Sequence, residues 1–162
     1  MLNASPPPSA DSTPQRVCGF LVDDVCFAVD VAGLAEVLRS GRLTVVPLAP
    51  PAVVGLLHLR GRIVPVIDMR LCLGFPAAGP AAKPRTHLVL RLQEDWYSLL
   101  VDEILDVFEI PAGRIEHPTK PAAVLEAVSG VYAGKDRLVH LLDPQRIVQG
   151  LGRHRVRSRS GD

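Results

Sequence analysis

The groups from which this chain could build a reactive site are five histidines, three cysteines and seventeen carboxylates. His58, His87, His117, His140 and His154 lie far apart, and no two stand at the spacing of metal ligands. His58, His87 and His140 fall in or beside strand-like runs, where a lone imidazole is a structural or surface group; a pH-responsive site is the alternative. Cys18, Cys26 and Cys72 are too few and too scattered for a disulfide framework or a zinc site, and the first two sit in apolar runs as small hydrophobes. The acidic pairs Asp23-Asp24 and Asp102-Glu103 are adjacent in sequence. Successive strand residues point to opposite faces, so neither pair converges on one substrate, and the first suits a turn. Gly130-Val131-Tyr132-Ala133-Gly134-Lys135-Asp136 resembles a phosphate loop, but its glycines are one residue too close and Asp136 stands where a hydroxyl must reach magnesium. It also precedes a strand, whereas a phosphate loop opens a helix. The expectation is no catalytic residue, no metal, no cofactor and no small-molecule substrate.

The elements that would carry these side chains are built from aliphatics. Of 162 residues 48% are apolar and only 4% aromatic, which supplies a core of Val, Leu and Ile in one domain or two small halves. The net charge of +1 argues against a nucleic-acid binder, because the basic excess is local. Arg153, Arg155, Arg157 and Arg159 crowd the C-terminus and leave the rest slightly acidic. Residues 1–16, with Pro6, Pro7, Pro8, Ser9 and Ser12, read as a disordered leader rather than a signal peptide. No apolar run approaches membrane-spanning length, so a cytoplasmic protein is expected.

The chain repeats itself once, weakly, with an offset of 75 residues between Gly55 and Gly130. In each copy an arginine, Arg62 or Arg137, opens an apolar strand that closes on an aspartate, Asp68 or Asp143. Each aspartate suits the N-cap of a short helical turn, Met69 to Leu73 or Pro144 to Val148, and Pro144 fits the first helical position. Upstream, Val17 to Val22 and Val25 to Val29 form one expected hairpin, and Leu88 to Leu92 and Trp96 to Val101 another. These run into Asp30 and Asp102. The stretch Val31 to Leu38 has helical period, with Val31, Leu34 and Leu38 on one face. Residues 75–84, rich in Pro, Gly and Ala, read as a linker. Two β-rich halves follow, 17–74 and 85–150, each of about five strands, packed on each other with a groove at the seam, and then a basic disordered tail, 151–162.

The run Val54-Gly55-Leu56-Leu57-His58-Leu59-Arg60-Gly61-Arg62-Ile63-Val64-Pro65-Val66-Ile67-Asp68-Met69-Arg70 resembles the central signature of the CheW-like coupling proteins. Phe20 to Val29, Leu34 to Val37, Leu100 to Asp102 with Asp106-Val107, and Gly130 with Leu141 to Asp143 are similar to further family segments in the same order. The resemblance implies an all-β fold with a few short helices, two five-stranded SH3-like barrels around a shared core. It implies an adaptor without chemistry that binds the cytoplasmic tip of a chemoreceptor and the regulatory domain of a CheA-type histidine kinase, associating with membranes only through receptors.

Carried over by position, Glu36 and Arg60 match a pair at the receptor-facing surface; an ordinary ion pair, or no contact, is the alternative. Leu34, Val37 and Val107 match apolar receptor-facing positions, although by residue type alone they read as core. Leu43, Val45 and Val46 are implied on the kinase side and could equally be strand core. Gly55, Gly61 and Gly130 are structural, serving turns or close backbone approach. Ser98 departs from the family, which commonly has glycine there, and the Arg-rich tail has no counterpart. Rival functions are a CheW-like modulator that binds receptor but not kinase, and a small β-barrel nucleic-acid binder. The second lacks clustered aromatics to stack bases.

Overall fold

A computed structural model describes residues 13–39, 41–80, 82–118 and 126–159, without the side chains of 152–159. Eleven strands and two helices follow one another among them. The strands are β1 (Gln15–Val22), β2 (Val25–Asp30), β3 (Leu34–Leu38), β4 (Val53–Leu59), β5 (Arg62–Asp68), β6 (Thr86–Leu92), β7 (Asp95–Val101), β8 (Glu103–Ile110), β9 (Ile115–Glu116), β10 (Val128–Ala133) and β11 (Leu138–Leu142). The helices are α1 (Met69–Cys72), after β5, and α2 (Pro144–Arg159), after β11. Asp68 and Asp143 are the expected N-caps, accepting from the amides of Arg70 at 2.9 Å and Gln145 at 3.0 Å.

The central strands are apolar without alternation because both of their faces are buried. In β1, Val17 points into one cluster, while Cys18, Phe20 and Val22 point into another. The same division runs through β2, where Cys26 and Ala28 oppose Phe27 and Val29. Leu88 and Leu90 of β6 join Phe20 and Phe27, while Val89 turns to a third cluster with Leu57, Val64, Val66 and Leu100. Each sheet therefore has its own core, and one core is shared between the two.

The strand order corrects the expected division into halves. One sheet runs β8-β1-β2-β11-β10-β9 and the other β3-β6-β7-β5-β4. The β1–β2 hairpin of the first copy lies among strands of the second, antiparallel to β8 and parallel to β11. The β6–β7 hairpin of the second copy lies among strands of the first, antiparallel to β3 and parallel to β5. The copies have exchanged their opening hairpins, so neither 17–74 nor 85–150 closes a sheet by itself. The six-stranded sheet also holds one strand more than expected, the two-residue β9.

Three local expectations also change. Val31 to Leu38 is not a helix: Val31–Gly33 form one 3-10 turn capped by Asp30, and Leu34–Leu38 are β3. Leu34 and Leu38 are four apart, which is one helical turn and also two strand periods, so both patterns fit them. The helix after Asp143 does not end at Val148 but continues to Arg159, so the backbone of 151–159 is helical rather than irregular. The leader expected over 1–16 lies outside the described residues as far as residue 12, and β1 begins at Gln15.

The three glycines read as serving turns or close backbone approach divide between the two. Gly61, with φ of 77°, forms a two-residue hairpin turn with Arg60, whose φ is 52°. Gly55 and Gly130 instead lie inside β4 and β10, each beside a register shift. A Cβ at Gly55 would stand 3.0 Å from the Thr44 carbonyl oxygen, and one at Gly130 would stand 2.5 Å from Ile115 Cγ2. Both positions need glycine because a neighbouring chain passes close by.

Candidate functional site

β3 and β8 are edge strands of the two sheets, and a groove of about 610 Å³ is lined by residues from both and from the approach to β6. Its lining is Val37, Arg39, Lys83, Pro84, Thr86, Asp102, Glu103 and Ile104. On β3 the period is two: Leu34, Glu36 and Leu38 are half-buried, while Ala35 and Val37 face outward. Val37 is 44% exposed at the groove, and Val107 is 47% exposed further along β8, so neither is a core residue. Leu34 packs against the shared core and does not line the groove.

Glu36 Oε2 meets Arg60 Nε at 3.3 Å. These residues belong to opposite ends of their sheet, since β3 is one edge and the Arg60-Gly61 turn joins β4, the other edge, to β5. The contact shows that the sheet curls until its edges meet, as a small barrel does. The Arg60 side chain is 74% exposed, so the pair adds little stability, about 0–1 kcal/mol. What it does fix is the position of two charges that close the curl of that sheet.

The second set of sequence-predicted residues lies elsewhere. Thr44 exchanges two backbone hydrogen bonds with Leu56, at 2.9 and 2.8 Å, and so lays residues 43–45 along the free edge of β4. Leu43 packs on the core of that sheet, Val46 is half-buried and Val45 is 76% exposed, so a plain strand-core reading fails for Val45. Leu48 and Ile63 are also exposed apolar residues, and sequence reasoning missed both. The duplication carried a signal for Ile63: Leu138 occupies the corresponding place, and the two are 60% and 56% exposed.

Behind the groove stands a cluster of five charges. Asp102 accepts from Arg70 Nε at 3.0 and 3.1 Å and from the backbone amide of Asp23 at 2.8 Å. Arg85 grips Asp68 with both terminal nitrogens, Nη1 at 2.9 Å, and its Nε lies 3.5 Å from Asp102 without a hydrogen bond. Burial pushes the Asp102 carboxyl up, but the bonds from Arg70 and the Asp23 amide, with the nearby guanidiniums, outweigh this and hold it below its ordinary value. Asp23 sits in the β1–β2 turn of one sheet, while Asp68, Arg70 and Arg85 belong to the end and flank of the other. The cluster thus pins the two sheets together beneath the groove. Sequence reasoning took Asp68 and Asp23 for a cap and a turn, and did not see that Arg70, Arg85 and Asp102 join them.

Among the described residues no three His, Cys, Asp or Glu side chains converge as a metal site would require. Burial raises all three thiols, Cys72 to about 11, which favours their protonated form.

An all-β fold of two curled sheets sharing a core, with a groove between edge strands, can now be set beside known proteins. The CheW-like domain matches residues 16–151. The chain belongs to the CheW-like domain family. It is 27% identical over 134 residues to the chemotaxis protein CheW of Thermotoga maritima, covering 83% of this chain and 87% of that one. It is 30% identical over 135 residues to protein FrzA of Myxococcus xanthus, covering 80% and 82%. The crystal structure of scaffolding protein TtCheW from Thermoanaerobacter tengcongensis superposes with a TM-score of 0.74 at 22% identity, over 81% of this chain and 90% of that one. This CheW-like chain is an adaptor of the chemotaxis-coupling kind. At Ser98, which the resemblance set apart as a departure, the hydroxyl is fully buried and lies 3.0 Å from Nδ1 of the buried His87. The side chain thus has a built-in partner, and burial followed by the Arg85 charge lowers the pKa of that imidazole.

Proposed function

We propose that the chain couples the cytoplasmic tip of a chemoreceptor to the regulatory domain of a CheA-type histidine kinase, in the cytoplasm, by binding rather than by catalysis. The observation that carries this reading is the exposed apolar Val37, which lines a groove between edge strands of the two sheets, while its chain neighbour Glu36 pairs with Arg60 from the other face of β3. An amphipathic receptor helix is held by apolar anchors in such a groove, with charges at its rim. Val37, Val107, Glu36 and Arg60 form that surface, with Leu34 beneath it as support. Leu43, Val45 and Val46, on the free edge of β4, are the kinase-facing segment.

The test is a pull-down of the purified chain with a kinase regulatory domain and, separately, with a receptor signalling-tip fragment. Capture of both supports the coupler. Capture of receptor alone makes the chain an array modulator, and capture of neither overturns the reading. Arg60→Glu is expected to reduce receptor capture about tenfold with unchanged thermal melting, and Glu36→Arg in the same chain to restore part of it.

A further inference from the structure

We infer that the groove between β3 and β8 is electrically two-sided, and that this polarity sets the direction in which a partner helix lies. The inference rests on the receptor-helix reading above and adds to it which way the helix runs. One wall carries Arg39, just beyond β3, and Lys83, on the approach to β6. The other carries Glu103 at the start of β8. All three are exposed, and none makes an ion pair with another described residue. Asp102, the remaining charge in the lining, is occupied by Arg70 and the Asp23 amide. Val37, Pro84 and Ile104 supply the apolar contacts of the same groove.

A helix that lays an apolar stripe on Val37 and Ile104 brings one flank against Arg39 and Lys83, and the other against Glu103. Glutamates on the first flank and lysines on the second meet opposite charges. Turned end for end, the same helix meets like charges on both sides. Exposed charge pairs each change affinity only a few-fold, but here three of them change sign together. Helices with one flank acidic and the other basic are therefore the preferred class, and each binds in a single direction.

The experiment uses the full chain, isotopically labelled, and three synthetic helical peptides with one common Leu/Val stripe. One peptide carries Glu on one flank and Lys on the other, the second Glu on both, the third Lys on both; each bears a nitroxide at its N-terminus. At low salt the split peptide is expected to bind about tenfold tighter than either uniform one and to broaden amide signals at one end of the groove only. Exchanging the walls, with Arg39→Glu and Lys83→Glu against Glu103→Lys, should move that broadening to the opposite end. Equal affinity for the three peptides, or broadening at both ends, overturns the inference; wild type alone decides this if the exchanged chain does not fold. A receptor-tip fragment keeps the two readings apart. If it binds wild type and exchanged chains alike, the polarity fails and the receptor reading stands. If it binds neither while the peptides behave as expected, the receptor reading fails and the polarity stands.

Discussion

The groove lined by Val37, Lys83 and Asp102 and the cleft lined by Gln15, Arg16, Asp30 and Ile110 hold corresponding places in the duplicated chain, with volumes of 610 and 590 Å³. Their backbones are built alike, each beside an exchanged hairpin and an Asp-capped helix. Their charges differ. At the first seam Arg70 and Arg85 join Asp23, Asp68 and Asp102 in one cluster. At the second, Gln145 stands where Arg70 would be and Gln15 where Arg85 would be. Gln15 reaches Asp30 at 3.1 Å, and Asp143 has its capping bond and an exposed contact with Arg146. His87 and Ser98, a polar pair beside the first seam, are replaced by the apolar Val17 and Ala28 at the matching positions of the second. The same exchange of hairpins can be sealed by charge or left to apolar packing and neutral amides.

The widest contrast is expected between the two capping aspartates. Asp68→Ala leaves Arg85 without its main partner in a buried setting and should cost about 3–5 kcal/mol in urea unfolding, whereas Asp143→Ala should cost about 1 kcal/mol. Equal losses would mean that the cluster adds nothing beyond the cap. Next comes Asp102→Asn, at about 2 kcal/mol against less than about 1 kcal/mol for Asp30→Asn at pH 7. Because the folded Asp102 has a lowered pKa, its contribution is present above its ordinary value of 3.8 and is lost as pH falls below that. Wild type and Asp102→Asn should therefore converge in acid.

A smaller effect tests the polar pair. The lowered pKa of His87 means that the unfolded chain takes up its proton first, so stability should fall as pH drops through the ordinary value of 6.5. Ser98 and Arg85 are the groups that face it. His87→Val with Ser98→Ala copies the second seam and should flatten the curve between about pH 5 and 7 in thermal melts. The smallest change is expected for Arg146→Ala, below about 0.5 kcal/mol, since its pair with Asp143 is exposed on both sides.

Much of this fold was legible because the duplication doubles every local signal. The caps at Asp68 and Asp143 and the Asp23-Asp24 turn, whose φ angles are 50° and 64°, follow from residue type and position. The exchange of hairpins did not, because a strand buried on both faces, such as β1 or β7, carries no mark of which neighbour it pairs with. β3 was misread because Leu34 and Leu38 fit both periods. The charge cluster was invisible for another reason: Arg85 lies 17 residues from Asp68, behind Pro84, and Arg70 lies 32 from Asp102. Glu36 and Arg60 came only through resemblance, since nothing local shows that the edges of a curled sheet will meet.

The exchanged hairpins bear on how the chain is made. β1 and β2 leave the ribosome long before β8 and β11, which flank them in the sheet. Phe20, Phe27 and Val29 thus wait for partners on a hairpin with two apolar faces. Contacts of such long sequence separation slow folding and prolong the exposure of sticky surface. The order of synthesis runs against the order of burial, and the span before Leu142 emerges is when this chain is most open to association with the wrong strand.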